Sequence, residues 1–127
     1  NYLRDGRLFA YFENQTPLAF IAIKEINDTT LEIKNLLTLE NYRGHGYGKA
    51  LLQYIEKLYQ NKTTFLIGTA NSSMTNMLIY TKLGYHYSHK IDNFFIDYYP
   101  QEIYENGMQA TDLLYFIKTV QNQNRVN

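Results

Sequence analysis

Asn41–Tyr59, NYRGHGYGKALLQYIEKLY, holds three glycines in alternation, a lysine, and then a helical pattern. Leu51, Ile55 and Leu58 recur at i, i+4 and i+7, so the spacing predicts an amphipathic helix from Gly48 to about Tyr59. Glycines placed directly before a helix have two readings. One is a tight strand-to-helix turn with no ligand. The other is a cradle in which bare backbone brings N–H groups close to an anion, and the helix end adds about half a positive charge.

The known glycine patterns discriminate further. A phosphate loop of the form G-x-x-x-x-G-K-[ST] fails twice, because Arg43 holds its first glycine position and Ala50 follows Lys49. The dinucleotide fingerprint G-x-G-x-x-G fails too, since Gly44, Gly46 and Gly48 are spaced G-x-G-x-G. The pattern that fits is Q/R-x-x-G-x-G/A, with Arg43, Gly46 and Gly48 at the specified places.

Upstream, RLFAYFE (Arg7 to Glu13) and LAFIAIKEI (Leu18 to Ile26) are rich in aromatic and β-branched residues and flank NQTP, which predicts a β-hairpin. LEIKNLLTL (Leu31 to Leu39) predicts a third strand. Downstream, the apolar run from Thr64 to Ala70 reads as a buried central strand. SSMTNMLIYTKLGY reads as a second helix, with a serine N-cap and Gly84 as its stop. Two more strands are expected around Tyr85 to Lys90 and Thr111 to Val120, joined by a long aromatic and acidic loop. The order β-β-β-α-β-α-β-β gives a mixed α/β (α+β) fold, expected as a single domain over residues 1–127.

Composition removes several functions. The 127 residues carry 12 cationic and 12 anionic side chains, which argues against a nucleic-acid binder that works by neutralising phosphates. No run approaches the roughly 18 apolar residues of a membrane span and no signal-peptide pattern opens the sequence, so a cytoplasmic protein is expected. The absence of cysteine excludes a disulfide framework, a thiolate zinc site and a cysteine nucleophile. His86 and His89 are three apart, which on a regular strand puts them on opposite faces; no metal site is expected.

Charge is unevenly placed. Asn41 to Lys90 holds six cations against one carboxylate, whereas Ile91 to Ile117 holds five carboxylates and no cation. Two solvated faces of opposite sign explain this; so does an anion-holding half followed by a cation-attracting half. The loop from Asp92 to Glu105, with Phe94, Phe95, Tyr98, Tyr99 and Tyr104, has likewise an acceptor-pocket reading, a packing reading and a homodimer-contact reading.

The strand followed by RGHGYGKALL, then helix, strand and helix, resembles the acetyl-CoA-binding core of the GNAT superfamily of N-acetyltransferases. NSSMTNMLIYTKLGY is similar to that family's second block, in which a tyrosine precedes a K-x-G-F/Y ending. The resemblance covers Leu18 to about Tyr85. It implies a mostly antiparallel sheet flanked by helices, and direct acetyl transfer from acetyl-CoA to an amine. In the family a strand and two helices usually stand before the position of Arg7; the sequence as given is short of that pattern.

Carried over, the resemblance places the cofactor pyrophosphate on Arg43, Gly44, His45, Gly46, Tyr47, Gly48 and Lys49. It leaves the pantetheine contact open among Asn71, Ser73 and Asn76, because Ser73 and Asn76 stand where the family has asparagine and alanine. A backbone N–H at Leu37 or Leu39 would hold the oxyanion, and Tyr80 would be the acid for the departing thiolate. The base would be Glu32 or a water relay, which replaces a dedicated base in much of the family. Tyr80 at an ordinary pKa near 10 would protonate a thiol of pKa ~8.5 about 1.5 units, or roughly 2 kcal/mol, uphill, and nearby cations are expected to lower it. Glu32 also has a plain reading, a solvated pair with Lys34 on the same strand face. The acceptor expected is a small cationic amine; the alternative is a catalytically silent CoA-binding sensor on the same fold.

Overall fold

The computed structural model describes residues 6–120. In chain order it has β1 (Gly6–Glu13), β2 (Thr16–Glu25), β3 (Thr30–Thr38), a 3-10 turn (Glu40–Tyr42), α1 (Tyr47–Leu58), β4 (Thr64–Ala70), α2 (Met74–Lys82), β5 (His86–Ile91), α3 (Phe94–Tyr98), β6 (Tyr104–Glu105), β7 (Met108–Gln109) and β8 (Leu113–Thr119). Six strands form one mixed, mostly antiparallel sheet in the order β1-β2-β3-β4-β8-β5, and β6 and β7 form a two-stranded sheet of their own. The α+β class and the internal place of β4 agree with the expectation. The chain groups into two compact units: the described residues of Asn1–Leu66 and Thr119–Asn127, and Ile67–Lys118.

In the first unit, β1 and β2 pair antiparallel across a two-residue turn, Asn14-Gln15, with Glu13 opposite Thr16. Asn14 takes a φ of 59° there, which asparagine tolerates better than most residues. β2 pairs with β3 with Ile23 opposite Ile33 and Ala22 opposite Asn35, so Lys34 is an extra residue bulged out of β3. Up to that point Leu31 and Ile33 share a face; beyond it Leu36 and Thr38 continue the same face. The other face carries Glu32, Asn35 and Leu37. The expected pair of Lys34 with Glu32 is present, with Nζ 3.4 Å from the carboxylate.

Helix α1 turns its apolar stripe, Leu51, Leu52 and Ile55, into the core of this unit, where Leu18, Ile21 and Ile33 are also buried. It lies close on β3: a Cβ on Gly48 would stand 3.1 Å from Thr38 Oγ1. This third glycine serves close helix–strand packing. Lys62, just before β4, is itself buried and donates from Nζ to the carbonyls of Asn27 (2.9 Å) and Asp28 (3.3 Å) in the β2–β3 turn.

In the second unit, β5 pairs antiparallel with β8. His86 is opposite Ile117 and His89 opposite Tyr115, with Ser88 as the bulged residue. The bulge returns His86 and His89 to one face, which overturns the opposite-face expectation. The His89 ring stacks on Tyr115 at 4.9 Å.

The long connection is structured rather than a plain loop. It contains α3 and the β6–β7 hairpin, whose turn is Asn106-Gly107 with φ of 57° and 74°. Two successive positive φ values are the signature of a tight hairpin turn that asparagine-glycine pairs favour. The rings of Phe94, Phe95, Tyr98 and Tyr99 pack on one another with centroids 5.0–6.4 Å apart.

Candidate active site

The loop between β3 and α1 bends through two left-handed residues, Gly44 (φ 82°) and Gly46 (φ 83°), and a Cβ on either would meet nothing within 4 Å. Gly46 is the N-cap of α1. Ala50 is the first amide of the helix to find a backbone carbonyl, that of Gly46 at 2.9 Å. Among the described residues the N–H groups of Gly44, His45, Gly46, Tyr47, Gly48 and Lys49 therefore have no acceptor. Unclaimed donors, open space above two Cβ-free positions and the positive end of a three-turn helix make a site for a bulky anion.

Side chains frame this loop. Arg43 folds back so that Nε donates to Thr38 O (3.2 Å), which leaves the outer edge of its guanidinium to solvent. Lys49 is exposed. Tyr47 packs 5.0 Å from Tyr11 and 5.8 Å from His45, and its hydroxyl donates to Glu13 Oε2 (3.3 Å). Partial burial, and then the Glu13 carboxylate, hold the Tyr47 phenol above the usual tyrosine range. Tyr47 thus braces the loop on β1 with its side chain, and only its amide is free for a ligand.

The two leucine amides expected at the oxyanion are directed elsewhere. Leu39 N–H donates to Leu18 O at 3.0 Å. Antiparallel pairs alternate between bonded and non-bonded, so Leu37, two residues back and opposite Phe20, also turns its N–H toward β2. The amide that β3 presents away from β2 at this level is Thr38. Sequence reading missed Thr38, although the bare Gly48 packed against it was a signal that α1 meets β3 at this point.

Glu32 lies on the other face of β3, with Asn35 and Leu37, where Leu8, Phe20 and Ala22 complete a shallow hollow. Its carboxylate is 3.4 Å from Lys34 Nζ. The expected pairing with Lys34 is thus present.

In the second unit α2 carries Tyr80. This residue is 3% exposed, not a surface tyrosine, with its ring centroid 6.2 Å from both Tyr85 and Phe116. Burial pushes its phenol well above the usual tyrosine range, the reverse of the lowering by cations expected from sequence. A group so desolvated stays protonated and acts as a hydrogen-bond donor.

Asn71 and Ser73 are engaged within the protein. Asn71 Oδ1 accepts from the amides of Thr111 (2.7 Å) and Asp112 (3.1 Å), while its Nδ2 donates to Gln109 O (3.2 Å) and Met108 Sδ (3.6 Å). Both ends of its amide are spent on β7 and the link from it to β8. Ser73 stands at the N-cap position of α2 but makes no capping bond; its hydroxyl donates to Glu105 Oε1 at 2.5 Å. Asn106 Nδ2 donates to Ser72 O (2.9 Å), so the hairpin is fastened to the start of α2 at several points. Asn76 is less committed, with a single 3.4 Å bond from Nδ2 to Thr69 Oγ1 and its side-chain carbonyl left over. No group of three or more histidine, aspartate or glutamate side chains suited to a metal occurs among the described residues.

A family model for the acetyltransferase (GNAT) family matches residues 1–85. The chain belongs to the GNAT acetyltransferases. A relative in Bacillus subtilis (strain 168), described as an uncharacterized N-acetyltransferase, YvbK, is 30% identical over 115 residues, which is 89% of this chain and 74% of that protein. A GNAT family acetyltransferase from Elizabethkingia anophelis, solved with acetyl-CoA bound, superposes with a TM-score of 0.87 at 31% identity, over 94% of this chain and 79% of the other. A Bacillus subtilis acetyltransferase in complex with CoA gives 0.85 at 29% identity, over 94% and 80%. This GNAT chain is thus similar to proteins solved with acetyl-CoA or CoA bound. Among its described residues no helix is long and apolar enough to cross a membrane.

Proposed function

We propose that this GNAT domain binds acetyl-CoA through the amides of Gly44 to Lys49 and passes the acetyl group directly to a primary amine of a small molecule. The observation that carries the reading is the set of unclaimed amides at the N-terminus of α1, beneath two positive-φ glycines with open space above them. A pyrophosphate supplies the acceptors that those donors lack, and the exposed charges of Arg43 and Lys49 add to the field.

The remaining roles follow from chemistry. With no cysteine in the sequence, an acyl-enzyme through sulfur is excluded, and the amine attacks the thioester carbonyl itself. The Thr38 amide suits the developing oxyanion, since Leu37 and Leu39 point toward β2. Tyr80, neutral and desolvated, donates a hydrogen bond to the departing thiolate. Asn76 is the side chain left to meet the pantetheine arm. A small cationic acceptor suits the five carboxylates and absent cations between Ile91 and Ile117.

The test is calorimetric titration with acetyl-CoA, using ATP and NAD as controls, followed by thiol release across a panel of primary amines. Selective binding of acetyl-CoA and turnover with at least one amine are expected. A folded protein that binds ATP or NAD as well as acetyl-CoA overturns the cofactor assignment. Binding without turnover overturns the transfer assignment.

A further inference from the structure

We infer that Glu105 is the group that takes the proton from the incoming ammonium, with Ser73 as its positioning residue. The inference rests on the amine-acetylation reading above. It starts from a bond that helix capping does not require. Ser73 occupies the N-cap of α2, where a serine hydroxyl ordinarily accepts from an amide of the first turn. Here it donates instead to Glu105 Oε1 at 2.5 Å, and Ser73 itself is 6% exposed. A buried hydroxyl given up to a carboxylate fixes the orientation of that carboxylate and leaves Oε2 for another partner.

Three other carboxylates of this stretch, all but Asp97 in α3, have partners of their own. Asp92 and Asp112 sit 3.1 and 3.4 Å from Lys90 Nζ, and Glu102 accepts from the Tyr104 hydroxyl at 3.3 Å. In the first unit Glu32 is paired with Lys34. Glu105 is the carboxylate fastened to the helix that carries Tyr80, and it remains exposed, so a proton taken up has a way out to water.

Helix geometry relates the two ends of the chemistry. Ser73 and Tyr80 are seven residues apart, two turns less about 20°, so they share a face with Cα atoms about 10 Å apart along the axis. Long helical side chains lean toward the N-terminus, and a phenol leaning from Tyr80 narrows that interval. An acid that meets the sulfur and a base that meets the nitrogen are needed at such a separation, on either side of one carbonyl carbon.

The protons balance. Glu105 takes one proton from the ammonium, and the neutral nitrogen attacks the carbonyl carbon. The C–N bond forms, the C–S bond breaks, and the nitrogen's second proton passes to the thiolate by way of the Tyr80 hydroxyl. Glu105 then returns its proton to solvent. One proton is released for each amide made.

The test compares two nucleophiles near neutral pH: 2-phenylethylamine, which is an ammonium ion there, and hydroxylamine, which is already neutral and has no need of a base. Glu105→Gln keeps an acceptor for Ser73 but cannot take the proton. It is expected to slow transfer to 2-phenylethylamine on the order of 100-fold or more, and to leave hydroxylamine and acetyl-CoA affinity within about threefold of wild type. Raising the pH toward that at which 2-phenylethylamine is neutral should restore the variant. Ser73→Ala should show the same selectivity more weakly, with Ser73→Thr restoring it. Equal losses with both nucleophiles, or no loss with either, overturn the assignment while wild-type turnover leaves the transfer reading standing. A wild type inert toward both nucleophiles overturns the two together.

Discussion

Lys62 Nζ lies 2.8 Å from the Glu25 carboxylate, with the lysine side chain 4% exposed and the glutamate 50%. The ammonium also serves the carbonyls of Asn27 and Asp28, so one buried cation ties the start of β4 to the β2–β3 turn. Lys62→Met keeps the apolar stem and removes the three acceptors' donor. Loss of charge-assisted hydrogen bonds of this kind costs about 1.5–3 kcal/mol, which should appear as a lower denaturation midpoint with an unchanged slope.

The same pair makes stability depend on acid. The Lys62 hydrogen bond holds the Glu25 carboxyl below its ordinary value. A depressed folded-state pKa contributes stability that is present above the unfolded value and is lost as pH falls through the folded one. The wild type should therefore lose stability below about pH 4. The gap between wild type and Lys62→Met should narrow over that range, as measured by denaturation at a series of pH values. A gap that stays constant with pH assigns the stabilisation to the carbonyl bonds alone.

Gly46 separates backbone strain from ligand exclusion. At a φ of 83°, Gly46→Ala pays for the left-handed conformation and puts a methyl group into the open space over the loop. Gly46→Asn tolerates the conformation better but fills the same space. Both are expected to weaken acetyl-CoA binding about tenfold or more, with alanine the less stable of the two by about 1 kcal/mol. If asparagine binds acetyl-CoA as the wild type does, the open space is not the cofactor's.

The glycine loop was legible because a backbone that must turn left-handed twice leaves glycines at fixed places, and α1 announced itself through Leu51 and Ile55. Bulges leave no such mark. One extra residue at Ser88 resets strand parity, so the opposite faces assigned to His86 and His89 by counting were wrong. The bulge at Lys34 shifts the faces only of the residues beyond it. The β6–β7 hairpin did have a signal, Asn106-Gly107, but strands of two residues are too short to show alternation beside it. Asn71 had none at all: its partners lie from Met108 to Asp112, far along the chain, and a local pattern read it as a ligand contact. The burial of Tyr80 was likewise invisible, since its ring neighbours Tyr85 and Phe116 are set by the packing of β5 and β8.

That burial sharpens what Tyr80→Phe should do. Removing a hydroxyl from a ring already enclosed by Tyr85 and Phe116 leaves the packing nearly intact, so the melting temperature should change little. The thiolate loses its donor, and turnover should fall on the order of 100-fold or more while acetyl-CoA affinity stays within about threefold. The direction of the pKa shift adds a second, independent reading. A phenol raised by burial stays protonated through the alkaline range, so the wild-type kcat should show no descending limb from Tyr80 below about pH 10. A limb in that range that vanishes in Tyr80→Phe means that Tyr80 loses its proton early and is poised by a charge rather than by burial. Turnover unchanged by Tyr80→Phe means that the thiolate leaves with its proton supplied by water.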